Sequence, residues 1–249
     1  MADRPIEPAK ESPRVAFAAT GVANLASIMA AFRRAGAQPF LAASPDELAA
    51  ADFAVLPGVG AFGSAMSALT AAGMDKAIHD RVVRGKPTLG VCAGMQLFFE
   101  GSDESPDVPG MGIVPGLFRR FPADLPVPQL GWNRVFGRSP KTDELRSSLD
   151  GGLKIDELRS SLDGSLGIVR EGWAYFANSY RLSEAPEGYA VNWSEYGEDF
   201  VAALEGQRPA GGGSGLLLCQ FHPELSGPWG LELIGAWMGY STAPQGVTS

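Results

Sequence analysis

Three residues of this chain could together perform nucleophilic chemistry: Cys92, His222 and Glu224. Cys92 ends the extended apolar segment KPTLGV and is followed by Ala93, Gly94 and a helix-compatible run, MQLFF. A cysteine at a sharp strand-to-helix turn projects its sulfur outward, near the positive end of a helix, where negative charge is favoured. Such a nucleophile needs an imidazole to manage its proton and a third group to orient the ring. The chain has two histidines. His79 lies in a charged, helix-like stretch and reads as a surface residue, whereas His222 follows the apolar segment LLLCQF and has Glu224 two residues beyond it. The 130 positions between Cys92 and His222 are no obstacle, because a parallel sheet brings distant strand ends together. By itself Cys92 reads equally well as a small buried residue.

The elements that must position these groups alternate. RVAFAA from Arg14 reads as a strand, and Leu25, Ile28, Met29 and Phe32 repeat at helical spacing before Gly36. PFLAAS reads as a short strand and PDELAAA as a short helix opened by Pro45. DFAVLPG is an apolar strand entering the loop PGVG at 57–60. Met66, Leu69, Met74, Ile78 and Val82 then mark helical packing interrupted near Gly73. This alternation predicts an α/β sheet with parallel strands and helices on its faces, and ligand loops beyond the carboxyl ends of the strands. PGVG and GVCAG at 90–94 both fall at such ends. Residues 101–131 read as loops with short extended segments such as MGIVPG, and LGWNRVF follows. GWAYFANSYRL, GYAVNWSEYG, DFVAALEG and GLLLCQFHPE read as further strands, some antiparallel, before a closing helix marked by Leu231, Leu233, Ile234, Trp237 and Met238.

With 249 residues, 45% of them apolar, the chain can bury a substantial core. The boundaries expected are a flexible lead-in at 1–12, one domain at 13–240 and a loose tail at 241–249. A formal charge of −8 and a pI near 4.8 argue against a general nucleic-acid or anionic-membrane surface. The polar start MADRPIEPAK lacks the pattern of a signal peptide and no apolar run is long enough to span a bilayer, so a cytoplasmic location is the expectation. Two cysteines do not make a disulfide scaffold. No CxxC or HExxH pattern calls for a metal, Cys219 is expected to point into the core, and no cofactor is called for. PGVG lacks the lysine and serine of a phosphate loop. Backbone N–H groups there suit the oxyanion formed when a thiolate attacks an acyl carbon.

One feature interrupts the pattern. KTDELRSSLDGGL at 141–153 is followed directly by KIDELRSSLDGSL at 154–166, a tandem 13-residue duplication differing only at Thr142/Ile155 and Gly152/Ser165. Each copy suits a short amphipathic helix ended by Asp-Gly. A surface insertion without chemistry is the preferred reading, with partner binding the alternative.

The motifs GVCAGMQ at 90–96 and QFHPELSG at 220–227 resemble those of class I glutamine amidotransferases. PGVGAF at 57–62, VPQLGWNRV at 127–135 and YFANSY at 175–180 resemble more narrowly the glutaminase subunits of imidazole glycerol phosphate synthase. The resemblance covers roughly residues 14–240. It implies a class I glutamine amidotransferase-like (flavodoxin-like) α/β fold: a central, mostly parallel sheet flanked by helices, with additional antiparallel strands. It also implies that Cys92 attacks the side-chain amide of L-glutamine, His222 shuttles the proton and Glu224 orients it. The oxyanion would be received by the N–H groups of Ala93 and, after a loop rearrangement, Val59, flanked by Gly58 and Gly60. Gln96 would contact glutamine, with Ser179 and Tyr180 near its α-amino and carboxylate groups. Ammonia would pass to a (βα)8-barrel cyclase, met by Asn24, Trp132, Tyr175 and the loop at Leu225, for synthesis of imidazole glycerol phosphate and the aminoimidazole carboxamide ribotide.

The chain departs from the family pattern at several places. ATGVANLAS at 19–27 keeps only Gly21, Asn24, Leu25 and Ser27 of the opening motif, Leu225 stands in place of a lysine, and Gln129 and Asn178 stand in place of histidines. These positions bear on the coupling between partner and glutaminase rather than on the triad. The alternatives are the glutaminase of another class I amidotransferase, which PGVG and GWN disfavour, a hydrolase of similar fold, and a non-catalytic subunit that keeps the fold. If the repeat is only an insertion, deleting residues 154–166 leaves glutamine hydrolysis largely intact; a collapse of glutamate release in that variant would assign the repeat a larger role.

Overall fold

The computed structural model describes residues 12–18, 25–58, 60–137, 167–206 and 215–240. The expected lead-in up to residue 11, the repeat at 141–166 and the tail at 241–249 lie outside the described residues. The first half alternates as the sequence predicts: β1 (Arg14–Phe17), α1 (Leu25–Arg34), β2 (Gln38–Leu41), α2 (Pro45–Ala50), β3 (Phe53–Leu56), α3 (Phe62–Ala71), α4 (Met74–Val83), β4 (Thr88–Val91) and the single turn α5 (Ala93–Gln96). Local chemistry sets several boundaries. The Ser44 hydroxyl accepts from Glu47 N at 3.2 Å and Pro45 opens α2, which is how an N-terminus is capped. Ala61 cannot cap α3, so the cap comes from elsewhere: Phe62 N donates to Glu104 Oε2 at 2.8 Å and Gly63 N to Ser105 Oγ at 3.1 Å.

The second half is mostly strand: β5 (Gly101–Ser102), β6 (Leu117–Arg120), β7 (Gln129–Val135), β8 (Gly172–Asn178), β9 (Tyr180–Arg181), β10 (Ala190–Glu195), β11 (Asp199–Glu205) and β12 (Leu216–Cys219), closed by α6 (Gly227–Trp237). The MGIVPG segment corrects the sequence reading. Residues 111–116 are loop, because Met111, Gly112 and Ile113 donate to the carbonyls of Leu97, Phe99 and Phe98 rather than to a strand, and extension begins only at Leu117.

A seven-stranded sheet runs β10-β11-β12-β4-β3-β1-β2. Strands β2-β1-β3-β4-β12 are parallel, the doubly wound order, and β11 and β10 extend it antiparallel. Alternation along the strands feeds two cores. Val15 and Phe17 pack with Phe32 of α1 and Trp237 of α6 on one face; Ala16 packs with Leu48, Met66, Leu69 and Ile78 of α2–α4 on the other. The antiparallel pair β7–β8 lies outside this sheet, and its Phe176 and Val135 join the first core.

Buried Arg81 ties the starts of β3 and β4. Its guanidinium donates to the carbonyls of Leu48, Ala51, Asp52 and Pro87 at 2.8–3.3 Å. Burial lowers its pKa to about 10 against the opposing charge of Asp52, so it stays protonated at neutral pH. Replacing one buried partner leaves the others unsatisfied. Arg81→Met should therefore cost about 3 kcal/mol of stability in urea unfolding, and a variant as stable as the parent would remove Arg81 from this role.

Candidate active site

The carboxyl ends of β4 and β12, adjacent and parallel, carry the two key side chains. Cys92 follows β4 with φ 53° and ψ −117°, and it is the non-glycine residue with positive φ among the described residues. This left-handed backbone is the strained strand-to-helix turn that the sequence predicts, and it holds Cys92 buried at the end of β4. It is locked by Cys92 N donating to Cys219 O at 2.7 Å and by Met95 N donating to Cys92 O at 3.0 Å. Two glycines permit the close packing around it. A β-carbon on Gly94 would lie 2.1 Å from Leu56 O, and one on Gly58 would lie 2.3 Å from Ala93 N. The Pro57–Gly58 segment thus sits against the elbow. The helix after Cys92 is a single turn, so the positive end expected there reduces to the free N–H groups of that turn, Ala93 among them.

His222 ends the β12 segment and Glu224 sits in the short 3-10 turn Pro223–Leu225. His222 Nδ1 lies 2.9 Å from Glu224 Oε1, and Cys92 is close enough to perturb the ring. An Nδ1–H donated to the carboxylate leaves Nε2 for the sulfur. Burial alone would lower the His222 pKa, but hydrogen bonds and charge from Cys92 and Glu224 outweigh it and raise the ring to about 10 from its ordinary 6.5. Because the folded value lies above the unfolded one, the contribution of this pairing to stability is complete below about pH 6.5 and is lost as pH rises through about 10. The three expected residues are brought together. Cys219 is buried in the core as expected, its thiol pushed well up by burial and then by the charges of Glu205 and Glu224. His79 is a surface residue beside Asp80.

The other expected residues divide. Gln96 is buried within hydrogen-bond reach of Gln220, one residue past β12. Ser179 and Tyr180 follow β8, whose Ala177 carbonyl accepts from Cys92 Sγ at 3.6 Å. Gly58 and Ala93 are in contact, Gly60 lies in the same loop at φ 79°, and Val59 and Asn24 lie outside the described residues. Trp132 and Tyr175 pair across β7–β8 with their rings edge-on at 6.3 Å, and Trp132 and Leu225 are 56% and 41% exposed. Leu130, 68% exposed, extends that apolar face. Gln129 and Asn178 are opposite each other in the β7–β8 register, both buried, each with a side-chain oxygen that has no hydrogen-bond partner among the described residues.

Four contacts escaped the sequence reading: the Ala177 carbonyl, Gln220 at the sulfur, and the Ser226 hydroxyl, which accepts from Tyr175 N at 3.0 Å and donates to His222 O at 2.6 Å. Gln220 stands inside the QFHPE motif, so its identity was visible but its direction was not. No group of three or more histidine, cysteine or acidic residues suited to a metal occurs among the described residues, and no helix there is long and apolar enough to cross a membrane. A nucleophilic sulfur, an imidazole and an orienting carboxylate in this arrangement can carry out acyl transfer. If Glu224 raises the ring as described, Glu224→Gln lowers the His222 pKa in an NMR titration of its imidazole; an unmoved midpoint would contradict the pairing.

The comparisons agree with this chemistry. Residues 27–117 match the CobB/CobQ-like glutamine amidotransferase domain. The imidazole glycerol phosphate synthase subunit HisH of Symbiobacterium thermophilum is 34% identical over 90% of this chain and 92% of its own length. That of Streptococcus gordonii is 36% identical over 87% and 91%. Among solved structures, a glutamine amidotransferase superposes with a TM-score of 0.61 at 17% identity, over 89% of this chain and 98% of its own. PurLQS from Thermotoga maritima gives 0.62 at 14% identity, over 91% and 97%. At such identities the structures speak for the fold, a class I glutamine amidotransferase-like α/β fold. The two sequence relatives extend along most of the chain at over 30% identity, and the chain belongs to the HisH family, the glutaminase subunits of imidazole glycerol phosphate synthase.

Proposed function

We propose that the chain hydrolyses the side-chain amide of L-glutamine through a thioester on Cys92 and delivers the ammonia to a (βα)8-barrel cyclase partner. The observation that carries this reading is the meeting of Cys92, His222 and Glu224 at two adjacent strand ends in a member of the HisH family. The Cys92 sulfur attacks the amide carbon, and the C–N bond breaks as the His222 imidazolium protonates the leaving nitrogen. Water, deprotonated by His222, then attacks the thioester and releases glutamate, returning the sulfur. Glu224 holds the ring in one tautomer throughout.

The oxyanion of both steps suits the Ala93 N–H at the start of the turn α5. Gly58 packs against that amide, so the reading requires the Pro57–Gly60 loop, with Val59 in it, to shift when glutamine binds. Gln96 would hold the glutamine, with Ser179 and Tyr180 at its α-amino and carboxylate groups. The exposed apolar face of Trp132, Tyr175 and Leu225, beside the triad, is the docking surface proposed for the cyclase, with Asn24 contributing from outside the described residues. Products of that partner would be imidazole glycerol phosphate and the aminoimidazole carboxamide ribotide.

A glutamine analogue bearing an electrophile should label Cys92, as read by mass spectrometry of the complex with the cyclase. Absence of label there would overturn the glutaminase reading in favour of a non-catalytic subunit. In the same complex Cys92→Ala should lower glutamine-dependent synthesis by about 10⁴-fold or more while ammonia-dependent synthesis persists, since only the acyl-transfer step is lost. Loss of both activities in a complex that still assembles would contradict the division of labour.

A further inference from the structure

The Cys92 sulfur has a neighbour that the triad chemistry does not use. Gln220 has no exposed surface, its N–H is bonded to Ala202 O at 2.8 Å, and its side chain is bonded at both ends. Gln220 Nε2 donates to Cys92 Sγ at 3.7 Å, and Gln220 Oε1 accepts from Gln96 Nε2 at 3.1 Å. The direction of this chain of bonds follows from chemistry. The neutral thiol can donate its proton to Ala177 O, but a thiolate has only lone pairs, so groups facing it must donate. Gln220 therefore turns its NH2 to the sulfur and has only its carbonyl oxygen to offer Gln96. Gln96, buried and confined, must meet that oxygen with its own NH2 and is left with its carbonyl oxygen for other partners.

We infer that Gln220 is a positioning residue that couples the Cys92 sulfur to the Gln96 amide, setting Gln96 with its carbonyl oxygen as the acceptor for the ammonium group of the amino-acid substrate. The inference rests on the glutaminase reading and deepens it. The same bond that steadies the nucleophile fixes the polarity of a substrate contact, so a site ready to attack is also a site ready to recognise an α-ammonium. A side chain at position 220 without a donor would release both ends. The sulfur would lose a hydrogen bond, and Gln96 would be free to rotate its amide.

The test uses the complex with the cyclase and compares L-glutamine with glutaramate, which has the same amide and carboxylate but no α-amino group. Gln220→Met should reduce the preference for glutamine over glutaramate about ten-fold, mainly through KM for glutamine, and should slow alkylation of Cys92 by iodoacetamide several-fold. Gln220→Asn, which keeps an amide but withdraws it, serves if the methionine variant does not fold and should shift both readouts in the same direction. In a double-mutant cycle the variant combining Gln96→Met with Gln220→Met should discriminate no worse than Gln96→Met alone, because Gln220 acts through Gln96. Unchanged discrimination and alkylation in a folded Gln220 variant, or losses that add fully in the cycle, overturn the inference while leaving the glutaminase reading intact. A parent complex that releases no glutamate from glutamine overturns both.

Discussion

The left-handed backbone at Cys92 is the constraint on which the site depends. Holding a non-glycine residue at φ 53° costs about 1–3 kcal/mol, so the surroundings must over-determine it. Strand β4 is central in the sheet, paired on both sides with β3 and β12, and the bond from Cys92 N to Cys219 O carries that pairing one residue past the strand. From the other side the end of β3 presses against the elbow, with Leu56 O in the space a side chain at 94 would need and Ala93 N in the space one at 58 would need. The same parallel alignment sets His222 beside the sulfur, because β12 ends level with β4. The placing of Cys92, His222 and the Ala93 amide thus follows from one piece of sheet geometry.

The β7–β8 pair connects this geometry to the exposed apolar face. Tyr175 shows its ring beside Trp132, while its backbone accepts from His222 N and donates to Ser226, and two residues further on Ala177 offers its carbonyl to the Cys92 thiol. A partner covering Trp132 and Tyr175 would bear on a strand that contacts both His222 and Cys92. Such an arrangement provides a short physical path for coupling. Leu225, Gln129 and Asn178 sit along it. Leu225 makes the rim of the face apolar, and Gln129 with Asn178 places two non-titrating amides on the buried side of the pair.

Much of the fold was legible because its signals are contiguous. The spacing of Leu25, Ile28 and Phe32 forms the buried stripe of α1, Ser44 and Pro45 start α2, and the apolar runs before Pro57 and Cys92 become neighbouring parallel strands. The segment 111–116 failed for the opposite reason. Its composition suits extension, but its N–H groups found partners in the turn after α5, a choice local pattern does not express. The start of α3 likewise depends on Glu104 and Ser105, some forty residues downstream, since Ala61 has no side chain able to cap it.

By itself the sequence determined which reactive groups exist and at which strand ends they stand: Cys92 after an apolar strand, His222 and Glu224 after another, and glycines wherever backbone had to approach backbone. Only the tertiary structure decided which unreactive groups complete the site. Ala177 enters through its carbonyl, which every residue has, and Gln220 matters through the direction of its amide. Side-chain type and spacing are properties of the chain, whereas strand register and the direction of a hydrogen bond arise only when distant segments meet.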